Sequence, residues 1–120
     1  MPQFVILHHR LPPDSGRADH FDLMLEDGDS LLTWTLPELP SERKQQAEAL
    51  PPHRRDYLIY EGPVSNGRGE VERVAAGTFE WIQREQQFLV VQLTAESISG
   101  RLTMRRCEEV EGQRWLIQVQ

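Results

Sequence analysis

Cysteine is almost missing from this chain. Cys107 stands alone among 120 residues, so no disulfide can staple the chain to itself, and a reducing cytoplasm is the expected compartment. Long apolar runs are missing too. None approaches the ~20 residues that span a bilayer as a helix, and the opening MPQFVILHHR lacks the basic start and long apolar centre of a secretory signal. No membrane association is expected. Positive charge is also short. A net charge of −6 weighs against broad, sequence-independent binding of nucleic acid, which rests on neutralising many phosphates. It leaves room for a local site that holds one phosphate. Lysine is reduced to Lys44, against twelve arginines. Arginine suits bidentate phosphate contacts, and a G+C-rich gene gives the same bias.

What is there describes one globular domain, residues 1–120. The length suits a single modest core, and 38% apolar with 27% charged residues is a folded rather than a disordered composition. Hydrophobicity alternates with period 2 in most segments, the mark of half-buried strands. In HFDLMLE, Phe21, Leu23 and Leu25 make one face and His20, Asp22, Met24 and Glu26 the other. Strands are read at 3–9, 19–26, 30–36, 57–60, 70–74, 77–83, 87–93, 98–106 and 114–119. Asp27-Gly28-Asp29 is a hairpin turn signal between the second and third. Residues 41–50 read as the one helix, with Ser41 as N-cap, Glu42 in the first turn and Pro51-Pro52 as a stop. Residues 11–18 and 61–69 are rich in turn formers. The fold expected from this pattern is mostly β: about eight antiparallel strands with one short helix, curled into a small barrel or a sandwich that hides the sheet edges.

The chemistry-bearing residues are few. If the first two strands pair, His9 at the end of one meets His20 at the start of the other, with Asp22 one step along the same face. Two imidazoles and a carboxylate suit Mn, Fe or Zn; the same spacing also fits a solvated strand face. PPHRRDY brings His53, Arg54, Arg55 and Tyr57 together in a loop, where charge-assisted and hydroxyl hydrogen bonds could hold a phosphate oxygen. Tyr57 could equally start a strand with its ring in the core. Asp14, Asp27 and Asp29 read as turn chemistry. SNGRG, residues 65–69, lacks the phosphate-cradling pattern and a following helix. Ser41 and Ser65 lack a GxSxG context. Cys107 reads as an inert thiol despite its arginine neighbours. Trp34, Trp81 and Trp115 read as packing residues.

As an ordered set, FVILHH, HFDLMLE, TWTLPELPS, the spaced His53 and Tyr57, YEGPVSNGRGEVERV and SGRLTMRR resemble the 3′-phosphoesterase domain of bacterial DNA ligase D, which also occurs freestanding. The resemblance runs from about Phe4 to Arg106. It implies a compact, closed or nearly closed antiparallel β-barrel of about eight strands and manganese-dependent removal of 3′-terminal ribonucleosides and 3′-phosphates from primer strands during DNA repair. By the resemblance, His9, His20 and Asp22 hold the metal, and His53 and Tyr57 lie at the phosphate as catalytic residues. Mn²⁺ is the ion implied, and Zn²⁺ or another divalent ion suits the same donors. Two family cations are replaced: Met24 stands where the family has the arginine of H-x-D-x-R, and Glu38 where it has a lysine. Arg17, Arg54, Arg55 and Arg68 are the candidates to supply the lost charge as phosphate-binding residues. The loop between His9 and His20 is longer than the family's, and no N-terminal arm of the family's kind is expected.

Three readings follow. The first is an enzyme acting on the 3′ end of a nucleic acid, weakened or redirected by Met24 and Glu38. The second is a non-catalytic module of the same fold that binds a metal, a nucleic-acid end or a repair protein. The third is a plain barrel without a site. A monomer is expected.

Overall fold

The computed structural model describes residues 1–64, 67–107 and 113–120. They form nine strands, β1 (Gln3–Arg10), β2 (His20–Asp27), β3 (Ser30–Leu36), β4 (Gln45–Arg54), β5 (Gly62–Pro63), β6 (Glu70–Arg84), β7 (Phe88–Thr94), β8 (Ser99–Arg106) and β9 (Arg114–Val119), with one 3-10 turn at Arg55–Leu58. Every pairing is antiparallel. The strands run β1-β2-β3-β4-β9-β8-β7-β6, and β6 pairs back onto β1, closing an eight-stranded barrel with β5 added beside β6. Closure gives each of the eight strands a partner on both sides, so no whole strand is left as an edge. The expected small antiparallel barrel is the fold adopted. Ser65, Asn66 and residues 108–112 lie outside the described residues, and with them part of the 61–69 loop and the segment after Cys107.

The interior is filled by alternate residues of all eight barrel strands, among them Phe4, Leu23, Trp34, Ala47, Phe79, Val91, Met104 and Ile117. Trp34 and Trp115 meet edge to face at 5.7 Å, a favoured aromatic geometry. Trp81 packs at the edge of this core. β6 is one strand of fifteen residues rather than the two read from the sequence. Its first part pairs β1 and its last part pairs β7. Gly77 sits near the handover, where a Cβ would come within 2.1 Å of the Thr94 carbonyl oxygen. The register skips between Ile6 and Leu7, leaving Val74 as a bulge residue.

Residues 41–50 are not helical, which corrects the sequence reading. The Ser41 hydroxyl does accept the Arg43 N–H at 3.2 Å, as an N-cap would, but the chain then extends into β4. A ten-residue helix is marginal by itself, whereas an extended β4 fills the gap between β3 and β9. Its small residues fit there: Ala49 lies opposite Trp34, and Ala47 opposite Trp115. Pro51 and Pro52 do not stop the strand. Leu31 pairs His53 and Thr33 pairs Leu50, so both prolines bulge opposite Leu32. β9 pairs only residues 45–48, so the missing proline N–H groups cost no hydrogen bond on that side. His53 and Arg54 therefore lie at the end of a strand rather than in a loop, and Arg55 and Tyr57 follow in the 3-10 turn. The strand read at 57–60 is replaced by the 3-10 turn and the residues after it.

The outer face of the β1–β3 wall is covered. Val5, Leu7, Met24, Leu31 and Val71 form a second buried cluster with Leu58, and Tyr57 and Val64 pack against it. The segment from Arg55 to Val64 thus lies across the barrel wall. Arg73 pins it: its backbone N–H donates to the Glu61 carboxylate at 2.9 Å and its guanidinium to the Leu58 carbonyl at 3.0 Å. Among the described residues, no helix is long and apolar enough to cross a membrane.

Candidate metal centre

The site begins with strand register. β1 and β2 place His9 directly opposite His20 and Leu7 opposite Asp22. Opposed residues of an antiparallel pair share a face, so both rings and the carboxylate stand together on the covered outer wall. The imidazoles lie 4.7 Å apart between centroids. His9 Nδ1 is 3.5 Å from Asp22 Oδ2, and His20 Nε2 is 3.3 Å from Asp22 Oδ1. One donor atom from each of the three residues lies within 4.8 Å of the others.

The protonation logic of this cluster is specific. His9 Nε2 is 2.8 Å from the Arg68 carbonyl oxygen. A carbonyl only accepts, so Nε2 carries the proton and donates. The Nδ1 lone pair of neutral His9 then faces the Asp22 carboxylate, an acceptor against an acceptor. Either a proton on Nδ1 or a cation between them relieves the clash. The His9 pKa is accordingly raised: the contact with Asp22 raises it most, burial opposes, and the Arg68 carbonyl adds to the rise. Burial pushes the Asp22 carboxyl up, but the approach of His20 and then His9, with their charges, outweighs it and lowers the pKa to about 2. Asp22 is 4% exposed, and its Oδ1 accepts no hydrogen bond of good geometry. A buried carboxylate oxygen without a donor is costly. Two imidazoles, one fixed through its far nitrogen by a carbonyl, with an under-satisfied carboxylate, make a donor set that fits a divalent ion.

Backbone close approach builds this arrangement. Gly69 has φ +88°, and a Cβ there would lie 1.9 Å from the Arg10 carbonyl oxygen. Only glycine allows the 67–69 segment to press so closely on the end of β1, and that contact holds the Arg68 carbonyl against His9. On the other side, the loop after β1 is tied by the Leu11 N–H to Asp19 Oδ1 at 2.9 Å and by the Arg17 N–H to Ser15 Oγ at 3.1 Å.

A cavity of about 390 Å³ opens beside the three donors. His53 and Tyr57 line it, as do Arg17 and Arg68. His53 Nδ1 donates to the Pro51 carbonyl at 2.9 Å, which leaves Nε2 as the free ring nitrogen. Its ring meets Tyr57 edge to face at 5.7 Å. Arg54 and Arg55 do not line this cavity. Arg54 borders a separate one with Tyr60 and Pro63, and Arg55 is ion-paired to Glu26. Glu38 is exposed in the β3–β4 connection, where its backbone is held by Gln45. Met24 lines the cavity and is 1% exposed. Leu50 and Val64 line the cavity as well; the sequence pattern places Leu50 in a helix and Val64 in a loop, which gives neither a face toward His9, His20 and Asp22.

Compared with known protein families, the chain matches none, and no curated protein matches it. The family likeness rests on the ordered motifs alone.

Proposed function

We propose that this chain is a metal-dependent phosphoesterase of the DNA ligase D 3′-phosphoesterase kind, acting on 3′-phosphates or 3′-terminal ribonucleotides of nucleic acid in DNA repair. The observation that carries the reading is the convergence of His9 Nδ1, His20 Nε2 and the Asp22 carboxylate beside a cavity lined by His53 and Tyr57. His9, His20 and Asp22 would hold the ion, with Mn²⁺ as first choice and Zn²⁺ or another divalent ion compatible with the same donors. When bound, the ion supplies Lewis-acid polarisation of a phosphate oxygen. His53, its Nδ1 committed to Pro51, offers Nε2 for a hydrogen bond or proton transfer at the phosphate. The Tyr57 hydroxyl orients the phosphate, and Arg17 and Arg68 contribute positive charge at the rim. Arg54 and Arg55 take no part in this arrangement. A cytoplasmic monomer working on free nucleic-acid ends, alone or with a repair protein, completes the reading.

The test is a labelled primer ending in a 3′-ribonucleotide or a 3′-phosphate, incubated with the protein and Mn²⁺. The end is expected to be removed, and His53→Ala should slow removal by ~10²-fold or more, the range for a positioned acid–base group. If no divalent ion supports release of either end, the enzyme reading fails. The binding-module reading, which the buried thioether of Met24 favours, would then stand in its place.

A further inference from the structure

A second cavity shares a wall with the first. It holds about 280 Å³ and is lined by Arg54, Asp56, Tyr57, Tyr60, Pro63 and Val64. Tyr57 and Val64 line both cavities, so these two side chains stand between it and the space beside His9, His20 and Asp22. The covering segment is apolar here where it meets solvent: Ile59 is 79% and Tyr60 38% exposed, two successive large side chains left uncovered beside a cavity. Tyr60 is exposed yet fixed. Its hydroxyl donates to the Pro63 carbonyl, and its ring meets Tyr57 edge to face at 6.0 Å. A ring already held in place loses little freedom when another ring stacks on it.

The polar groups of this cavity balance. Arg54 and Asp56 supply one cation and one carboxylate, and among the described residues neither is in an ion pair. Together they offer donors and an acceptor without net charge. That gives an anion no advantage and suits a flat neutral ring with both kinds of polar edge. A nucleobase is such a ring: arginine donates to its ring nitrogens and carbonyls, a carboxylate accepts from its exocyclic amine, and an aromatic side chain stacks on its face.

We propose that the cavity of Arg54, Asp56 and Tyr60 is a nucleobase pocket, separate from the phosphate-binding cavity. Resting on the phosphoesterase reading, it takes the base of the nucleoside whose 3′ oxygen carries the phosphate at the metal donors, with Tyr57 between base and phosphate. Arg54 then reads the base rather than the phosphate. The group being removed lies on the other side of the phosphate, so the pocket is filled alike for a 3′-phosphate and a 3′-terminal ribonucleotide.

Two measurements test this, the first without metal or turnover. The metal-free protein is titrated with deoxyadenosine and, separately, with inorganic phosphate, while the tyrosine ring and valine methyl resonances are followed by NMR. Deoxyadenosine should move Tyr60 and Val64, and phosphate should leave Tyr60 in place. Tyr60→Ala should weaken deoxyadenosine binding by about tenfold or more, the scale of one stacked base, and Tyr60→Phe, which keeps the ring, should retain most of it. The second measurement uses Mn²⁺ and two primers with a 3′-phosphate, one of them lacking the base of its last nucleoside. In the wild type the missing base should lower kcat/KM by about tenfold or more, and in Tyr60→Ala the two primers should be equal. Deoxyadenosine that leaves Tyr60 unmoved, phosphate that moves it as deoxyadenosine does, or equal removal from both primers by the wild type overturns the base pocket and leaves the phosphoesterase reading untouched. Movement of Tyr60 by deoxyadenosine in a protein that removes no primer end with any divalent ion supports the pocket and overturns the phosphoesterase reading.

Discussion

His9 is the residue on which the site turns. Its far nitrogen is fixed by a carbonyl and its near nitrogen faces a carboxylate, so it must share either a proton or a cation with Asp22. This gives a pH signature in the metal-free protein. The His9 pKa is raised above its ordinary 6.5, so its contribution to stability is complete below pH 6.5 and is lost as pH rises through the raised value. The Asp22 pKa is lowered from 3.8 to about 2, so its contribution is present above pH 3.8 and is lost as pH falls towards 2. The pair therefore stabilises the metal-free chain most between pH 3.8 and 6.5. Manganese stabilisation should run the other way and grow with rising pH, because the ion takes the place of the His9 proton. Thermal midpoints across pH 4–8, with and without Mn²⁺, check both trends. A metal-free optimum above pH 7 would contradict the assignment. At this scale the sequence was informative: alternation in HFDLMLE put His20 and Asp22 on one face, and hairpin-like pairing was enough to bring His9 to them. It could not show that this face is covered, because the cover comes from residues 55–64, more than thirty positions away.

Strands and turns set how precisely these residues meet. The long β6 serves β1 along one half and β7 along the other, and Gly77 lets it pass beneath Thr94. Gly77→Ala should destabilise the barrel by about 1–3 kcal/mol, the usual cost of forcing an extra carbon into a packed site, measured as a lowered urea midpoint at constant slope. An unchanged midpoint would mean that β6 relaxes away from Thr94 freely. Local signals were misleading in β4 for a physical reason. Ser41, Glu42 and an Ala- and Gln-rich run favour helix locally, but Ala47 and Ala49 are needed opposite Trp115 and Trp34, and that packing outweighs propensities worth tenths of a kcal/mol per residue. The two prolines, read as a stop, form the bulge that leads to His53. The 3-10 turn that follows then sets Tyr57 beside it. The His53–Tyr57 pairing was legible as a spacing, and its cause was not.

At the scale of the whole molecule, the described residues form a closed barrel with the candidate site on its outer wall. The interior holds the fold together, and the second apolar cluster under Leu58 and Tyr57 holds the cavity. Because the donors sit on two strands of a closed sheet, removing one should leave the barrel folded. Thermal unfolding of the wild type and of His20→Ala, each with and without Mn²⁺, therefore bears most directly on the metal centre. At ~100 times its dissociation constant a ligand stabilises by about 2.7 kcal/mol, a rise of about 10 °C for a domain of this size. The wild type should show that rise, and His20→Ala should unfold cooperatively near the metal-free wild-type midpoint and show none. Equal shifts in both proteins, or no shift in the wild type with manganese, zinc or any other divalent ion, would contradict a metal centre at His9, His20 and Asp22.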